Sequence, residues 1–360
     1  MTLEEFFRLG SVDDAEVSFT AVSDILVEGP RMYVLESQPP QVLQFDRSGS
    51  RIRAFGRQGE GPGEFTHPSQ LGFAQGKLWV SDPWGARLEL FSQDGEFLKS
   101  VRFQTQPDSA GVRNLPQAIL PGGHVLAGPA PLSIGGVLSG SIDHLTYLQT
   151  DSVGTILREI LRLPIAGSDF FQASLGQGGI MGGHPLPEGQ VVDVFPDGRG
   201  VVVVERWVSE EPDSAAIRIS AYDGDGLEVF DKELSYRPIP VPDAWIGRFL
   251  QRQMAQAGQA PPENQQRELL EAVRNGVSER EFFPPVTRVV AGNDGSVWLR
   301  REEVSFDSVS WDVLTSTGTW EGRLWAATDL QLLAASRDTV WGVIKDEFDV
   351  PYVVGLKVVR

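Results

Sequence analysis

Three histidines and a scatter of carboxylates are the first residues to test for chemistry. His67, His144 and His184 come from widely separated parts of the chain, and three imidazoles meeting at one point would suit zinc. None stands in a ligand spacing such as H-x-x-x-H, and the fourth histidine, His124, falls in a tight turn. Glu36, Asp82, Glu205 and Asp346 could offer oxygens to calcium, but calcium takes about six to eight of them and asparagine is scarce in the loops concerned. The chain has no cysteine, which removes disulfides, thiolate metal sites and cysteine nucleophiles. No Gly-x-Ser-x-Gly elbow marks a serine nucleophile. The glycines between Gly176 and Gly183 are followed by neither a lysine nor a helix, so they read as a loop rather than a phosphate cradle. No cofactor is expected on these grounds, and calcium and zinc are the two worth assaying.

A second group is of a different kind. Trp84, Arg87, Arg206, Trp207, Arg300, Arg301 and Lys345 are of the types that anchor binding patches. Gathered in one place they would suit an anionic ligand. The competing reading pairs the cations with Glu302, Glu303, Asp346 and Glu347.

Bulk properties limit the partners. The 360 residues carry a net charge of −18, and phosphate backbones need a basic footprint, so nucleic acid is not expected. No run of about 18 apolar residues is present, so no membrane insertion is expected. The start, Met1-Thr2-Leu3-Glu4-Glu5, lacks the basic and apolar stretches of a signal peptide.

The elements that must position these residues are strands. Thirty-nine glycines and 24 prolines without a strict period imply many turns. Tyr33-Val34-Leu35-Glu36 aligns with Trp79-Val80-Ser81-Asp82 at a shift of 46, and the same shift carries Phe45 to Phe91 and Gly49 to Gly95. Looser copies follow from Pro116, Val191, Thr287 and Leu330. Each copy reads as four antiparallel strands. The last copy lacks its fourth strand, while Phe6–Leu9 precede the first copy and are left over. The expectation is one all-β domain over 1–360, a six-bladed β-propeller of four-stranded antiparallel blades closed by the N-terminal strand. The glycine-rich stretch 56–65 becomes the connector between the first two blades. Long links fall only between second and third strands and between blades, so all elaboration lies on one face, around one mouth of the channel. The largest insertion, about 243–283 between blades four and five, carries apolar residues at helical spacing and is expected to form a helical hairpin.

Gly59-Glu60-Gly61-Pro62-Gly63-Glu64-Phe65, Pro68, Leu78–Asp82, Arg87–Phe91 and Asp94–Phe97 resemble an NHL repeat. The ending, from Asp338 to Val353, resembles a group of bacterial six-bladed propellers, mostly of undefined function, many of which begin with an export signal. The resemblance implies the propeller fold and favours the cell envelope, periplasm or outside, although this chain shows no signal; localisation is left open. In the repeat, the positions of Asp82 and Arg87 brace a loop. Similar propellers also include lyases with axial zinc and lactonases with axial calcium. The expectation drawn is a monomeric binding module whose loop-rich face takes a peptide, glycan, small anionic molecule or protein partner. The alternative is a metal-dependent hydrolase or lyase with a divalent cation in the channel. No catalytic residue is assigned, and the balance leans away from an enzyme.

Overall fold

One turn, repeated five times, sets the third-to-fourth-strand hairpin of five blades. Asp46, Ser92, Asp151, Asp223 and Thr315 each accept backbone N–H bonds from residues two and four positions on. Side-chain acceptors of this kind stabilise tight turns. The residue three positions on is always glycine; Gly95 has φ +77°, a left-handed conformation that disfavours a side chain.

The computed structural model describes residues 1–11, 17–131, 140–165, 170–175, 178–184, 186–209, 215–242, 281–302, 308–360 and four isolated positions, the side chains of 131, 170–175, 178–183 and 207–209 excepted. The closing strand β1 is Thr2–Leu9. Blade one holds β2 (Val22–Glu28), β3 (Arg31–Ser37), β4 (Pro40–Asp46) and β5 (Arg51–Phe55). Blade two holds β6 (Gln70–Ala74), β7 (Lys77–Asp82), β8 (Arg87–Ser92) and β9 (Phe97–Arg102). Blade three holds β10 (Val112–Ile119), β11 (Val125–Pro131), β12 (His144–Thr150) and β13 (Ile156–Pro164). A hairpin of β14 (Phe170–Leu175) and β15 (Gly178–Gly183) follows. Blade four holds β16 (Val191–Val194), β17 (Gly200–Ser209), β18 (Ala216–Asp223) and β19 (Glu228–Ser235). Blade five holds β20 (Arg288–Ala291), β21 (Val297–Arg301), β22 (Ser308–Leu314) and β23 (Trp320–Ala327). Blade six holds β24 (Gln331–Ala335), β25 (Thr339–Lys345) and β26 (Pro351–Val359).

Every blade is an antiparallel sheet of four, and the sixth has the order β1-β26-β25-β24. The N-terminal strand thus supplies the strand that the last copy lacks, with Thr2 opposite Val359 and Leu9 opposite Val353. Aromatic packing seals the seam: Phe6 and Phe7 meet the Trp341 ring edge-on at 5.4 and 5.3 Å. The core consists of the faces between blades. Trp79, Leu88 and Leu90 of blade two pack on Val125 and Leu126 of blade three, and Trp298 and Trp311 of blade five on Leu332 and Val340 of blade six. A buried tryptophan removes ~150–250 Å² from water, an upper bound of roughly 4–6 kcal/mol each. Polar ties supplement this packing: Gln44 and Tyr33 of blade one both donate to the Gln93 carbonyl in the blade-two turn.

Two expectations need correction. The stretch Gly178–Gly183 is not a loop: it is strand β15, paired along its length with β14. Short backbone-only glycine positions can still complete a ladder when a partner strand offers its hydrogen bonds. The helical hairpin at about 243–283 is not found, because the described residues form no α-helical element. Most of that insertion lies outside the described residues, and only the isolated positions Trp245, Gly247, Arg267 and Glu271 have helical backbone. Its described root is extended: Pro240 bridges Phe282, and Val241 and Phe283 donate to the Glu281 and Ile239 carbonyls. Prolines at 238, 240, 242, 284 and 285 explain this, since they remove donors and bias their neighbours away from helix.

The six-bladed ring is as expected, with one feature that the sequence did not announce. The inner strand of blade three, β10, packs against β7 and β8 rather than against the inner strand β6. Blades two and four meet directly in front of it: Phe73 N–H donates to the Pro196 carbonyl at 2.8 Å. Gly72 permits the approach, because a Cβ there would sit 2.0 Å from the Trp79 ring and 2.3 Å from the Pro196 oxygen. The channel is therefore walled by five inner strands with the sixth set back.

Candidate functional site

The inner strands β2, β6, β16 and β20 all begin at the loop-rich face, and each carries a polar residue within its first three positions or just before them. Ser23, Asp24, Gln70, Asp193, Thr287 and Arg288 line a cavity of about 340 Å³ in the channel mouth, with Leu333 of blade six. No blade-three residue lines it, as the set-back of β10 requires.

Two carboxylates are locked into this wall by the same device. Asp24 accepts the N–H of its neighbour Ile25 at 2.9 Å and, across the blade junction, that of Leu71 at 2.7 Å. Asp193 accepts the N–H of Val194 at 2.9 Å and that of Ala291 in blade five at 2.8 Å. Gln70 reaches Asp193 at 3.5 Å and the Val194 carbonyl at 3.4 Å, completing the contact between blades two and four. Burial pushes the Asp24 carboxyl up to about 7 against its two amide donors and Arg288, and the charge of Asp193 adds to the rise. Burial likewise pushes Asp193 up to about 6, opposed by its amide donors, Arg288 and Gln70. Both side chains keep some surface open to the cavity, so water there moderates these shifts. Arg288 is lowered by burial, countered by the charges of Asp193 and Asp24. Its guanidinium makes no hydrogen bond or close ion pair among the described residues.

The residues singled out by type are placed elsewhere and are not brought together. Asp82 is fully buried and accepts from Thr66 N, His67 N, Gly85 N and Arg87 Nε at 2.7–3.3 Å. Arg87, 1 % exposed, donates on to the Gly59 carbonyl. This pair braces the blade-one-to-two connector, and Glu64 closes the connector on itself through Gly61 N and Arg57. Glu36 does the equivalent work in blade one, accepting from Thr20 N and Gln41. Asp346 caps its own turn through Phe348 N and Val350 N. Trp84 stands out, 84 % exposed, with its ring 5.7 Å from His67. Arg206 is buried and bonds the Pro187 carbonyl. Trp207 lies on β17 with its side chain outside the described set, and Lys345 is exposed. Arg300 pairs with Glu302 at 2.8 Å, and Arg301 with Asp312 at 2.8 Å.

The three histidines have separate surroundings. His144 bonds Asp143 beside Arg162, and His184 is buried and accepts from Leu186 N at 3.0 Å. Among the described residues no group of three or more His, Asp or Glu side chains is arranged to hold a metal ion.

Type-based reasoning passed over Asp24, Asp193 and Arg288 because inner strands were read for their apolar pattern. A signal existed: Asp24 and Gln70 stand at the same place in the repeat, 46 positions apart, and a charge inside a strand that must be buried is costly unless it is used.

The comparisons agree with this architecture. The DUF5128 family model, described as a 6-bladed beta-propeller, matches residues 5–72. No curated protein matches the chain. Among solved structures, a candidate exported protein from Bacteroides fragilis is similar over 99 % of this chain and 96 % of its own, with 12 % identity and a TM-score of 0.53. A duf4221 family member from Bacteroides vulgatus covers 99 % and 97 %, with 10 % identity and a TM-score of 0.47. The calcium-binding protein regucalcin from Agrobacterium tumefaciens covers 99 % and 95 %, with 10 % identity and a TM-score of 0.41. Likeness at this level is one of fold.

Proposed function

We propose that the protein is a binding module that takes a small hydroxylated anion, or the acidic end of a glycan, in the channel mouth. The observation that carries this reading is Arg288, a cation aimed at the cavity without a bonded partner among the described residues. Around it stand hydroxyl, amide and carboxylate groups of Ser23, Thr287, Gln70, Asp24 and Asp193, the donors and acceptors that suit sugar hydroxyls. The volume of about 340 Å³ suits one ring-sized unit rather than a peptide segment. An NHL-like repeat is compatible with such a use, but the residues at its signature positions, Asp82 and Arg87, serve the scaffold.

The metal-dependent hydrolase or lyase has less support. Both oxygens of Asp24 and of Asp193 already accept backbone N–H groups, and Arg288 in the same lining, which interacts with both charges, repels a divalent cation. Calcium would find too few free oxygens here. Location in the cell envelope is part of the reading and is supported only by family likeness. No described helix is long and apolar enough to cross a membrane. The net charge of −18 disfavours nucleic acid as a partner.

Calorimetric titration with glucuronate and with glucose, on wild type and Arg288→Ala, tests the proposal. Wild type should bind glucuronate more tightly than glucose, and R288A should lose that preference by about tenfold, the scale of one charge-assisted contact. Equal binding of glucuronate by both proteins would sink it.

A further inference from the structure

We propose that the site in the channel mouth continues onto blade two, where Trp84 and His67 form a stacking platform for the second ring of an acidic glycan. This rests on the channel reading and narrows its ligand to an oligosaccharide with an acidic end. Trp84 is the most exposed large apolar side chain among the described residues, 84 % open to solvent. Its ring stands 5.7 Å from the His67 ring at an interplanar angle of 48°. Single exposed apolar side chains are ordinary on protein surfaces, so what matters is how this one is mounted and where it stands.

Both rings are mounted on one buried carboxylate. Asp82 accepts His67 N–H at 3.0 Å and Gly85 N–H at 3.3 Å, and Arg87 Nε donates to it at 2.9 Å. The turn between β7 and β8 also closes on itself, with Ala86 N–H donating to the Pro83 carbonyl at 3.0 Å. Trp84 is therefore held out by fixed backbone. A rigid indole on such a base has few torsions left to order when a ligand arrives.

The platform adjoins the cavity. Ser69 and Gln70 line the mouth, and His67 comes two residues before Ser69, at most about 7 Å away between Cα atoms. His67 and Ser69 are exposed while Pro68 between them is buried, so an open polar strip leads from the indole to the cavity. Trp84 is tied to the same place from its own side, since Ser81, three residues before it, pairs with Gln70. The separation is on the scale of one glycosidic step. A pyranose presents C–H groups on its faces and hydroxyls at its edge. The indole face suits the first, and the His67 ring nitrogens, which make no hydrogen bond among the described residues, suit the second. Phe348 supplies the contrast. It is 77 % exposed on the β25–β26 turn of blade six, and Asp346 fixes its N–H, but no described ring stands beside it to extend a platform.

Calorimetry with glucuronate, with cellobiouronate (a glucuronate joined to one glucose) and with phenyl glucuronide tests this. Cellobiouronate should bind at least tenfold more tightly than glucuronate. Trp84→Ala should abolish that gain and leave glucuronate binding unchanged, Trp84→Phe should restore part of it, and Phe348→Ala should leave both ligands unaffected. Trp84 is exposed, so circular dichroism and melting of W84A without ligand should match wild type. If glucuronate binds but cellobiouronate binds no more tightly, the platform is overturned and the channel reading stands; if neither binds, both fall. The proposal is also overturned if W84A keeps the gain, if F348A costs as much as W84A, or if phenyl glucuronide binds more tightly than cellobiouronate, which would mark a site for an apolar group rather than a sugar ring.

Discussion

Asp193 accepts the backbone N–H of Ala291 at 2.8 Å, so a carboxylate facing the channel also ties blade four to blade five. Asp24 ties blade one to blade two through Leu71 in the same way. Each group therefore has two tasks that pull apart: the amide donors favour its charge, and its enclosure opposes it.

The pH dependence follows from that opposition. Both folded-state values, about 7 for Asp24 and about 6 for Asp193, lie above the ordinary aspartate value of 3.8. The folded state keeps protons that the unfolded chain has released, so this contribution to stability is complete below about pH 4 and is lost as pH rises through 6 and 7. Asp193→Asn cannot titrate, and its amide oxygen still accepts one N–H. Its stability relative to wild type should therefore improve between pH 4 and pH 8, by about 1–2 kcal/mol once cavity water is allowed for. Urea unfolding of both proteins across that range is the measurement, and a difference independent of pH would contradict it.

Arg87 offers a contrast, because its partners leave no room for a ligand. Removing it strands Asp82 and Glu89, both fully buried, with Arg87 Nε 2.9 Å from the first and 3.6 Å from the second. Breaking one side of a buried pair costs about 3–5 kcal/mol. Arg87→Ala should lower the denaturation midpoint accordingly, while any channel binding measured on the folded fraction should persist. Loss of binding with no loss of stability would return Arg87 to the list of ligand contacts.

How much of this was legible in sequence depended on the range of the interactions. The hairpin turns are local, so Asp46–Ser50 and Ser92–Glu96 announced themselves through an acceptor and a glycine at fixed spacing. Ring closure could be counted, since the last copy was one strand short and the pairing of β1 with β26 supplies it. Asp82 and Arg87 were visible as a pair, but whether they faced ligand or scaffold turned on burial. The channel carboxylates were harder to see. Asp24 bonds Leu71, 47 residues away, and Asp193 bonds Ala291, 98 residues away; neither contact leaves a local pattern. Of the insertion at about 243–283 only the root is open to comparison, where prolines hold the chain extended; the rest lies outside the described residues.

The set-back of blade three was the least legible feature, and it rests on one glycine. At Gly72 a Cβ would fall 2.0 Å from Trp79 Cζ2 and 2.3 Å from the Pro196 carbonyl oxygen. Neither neighbour can swing aside: Trp79 is fully buried, and the other contact is backbone. Gly72→Ala must therefore part blade two from blade four, straining the Phe73–Pro196 hydrogen bond of 2.8 Å and the adjacent reach of Gln70 to Asp193. Overpacking of this kind costs about 1–3 kcal/mol, and the weakened seam should add faster amide exchange at Phe73. Gly76→Ala, where nothing lies within 4 Å of the added carbon, is the control for backbone strain alone, because its φ of +73° penalises any side chain. If G72A unfolds no more readily than G76A and leaves Phe73 protected, the direct junction of blades two and four is not what shapes the channel.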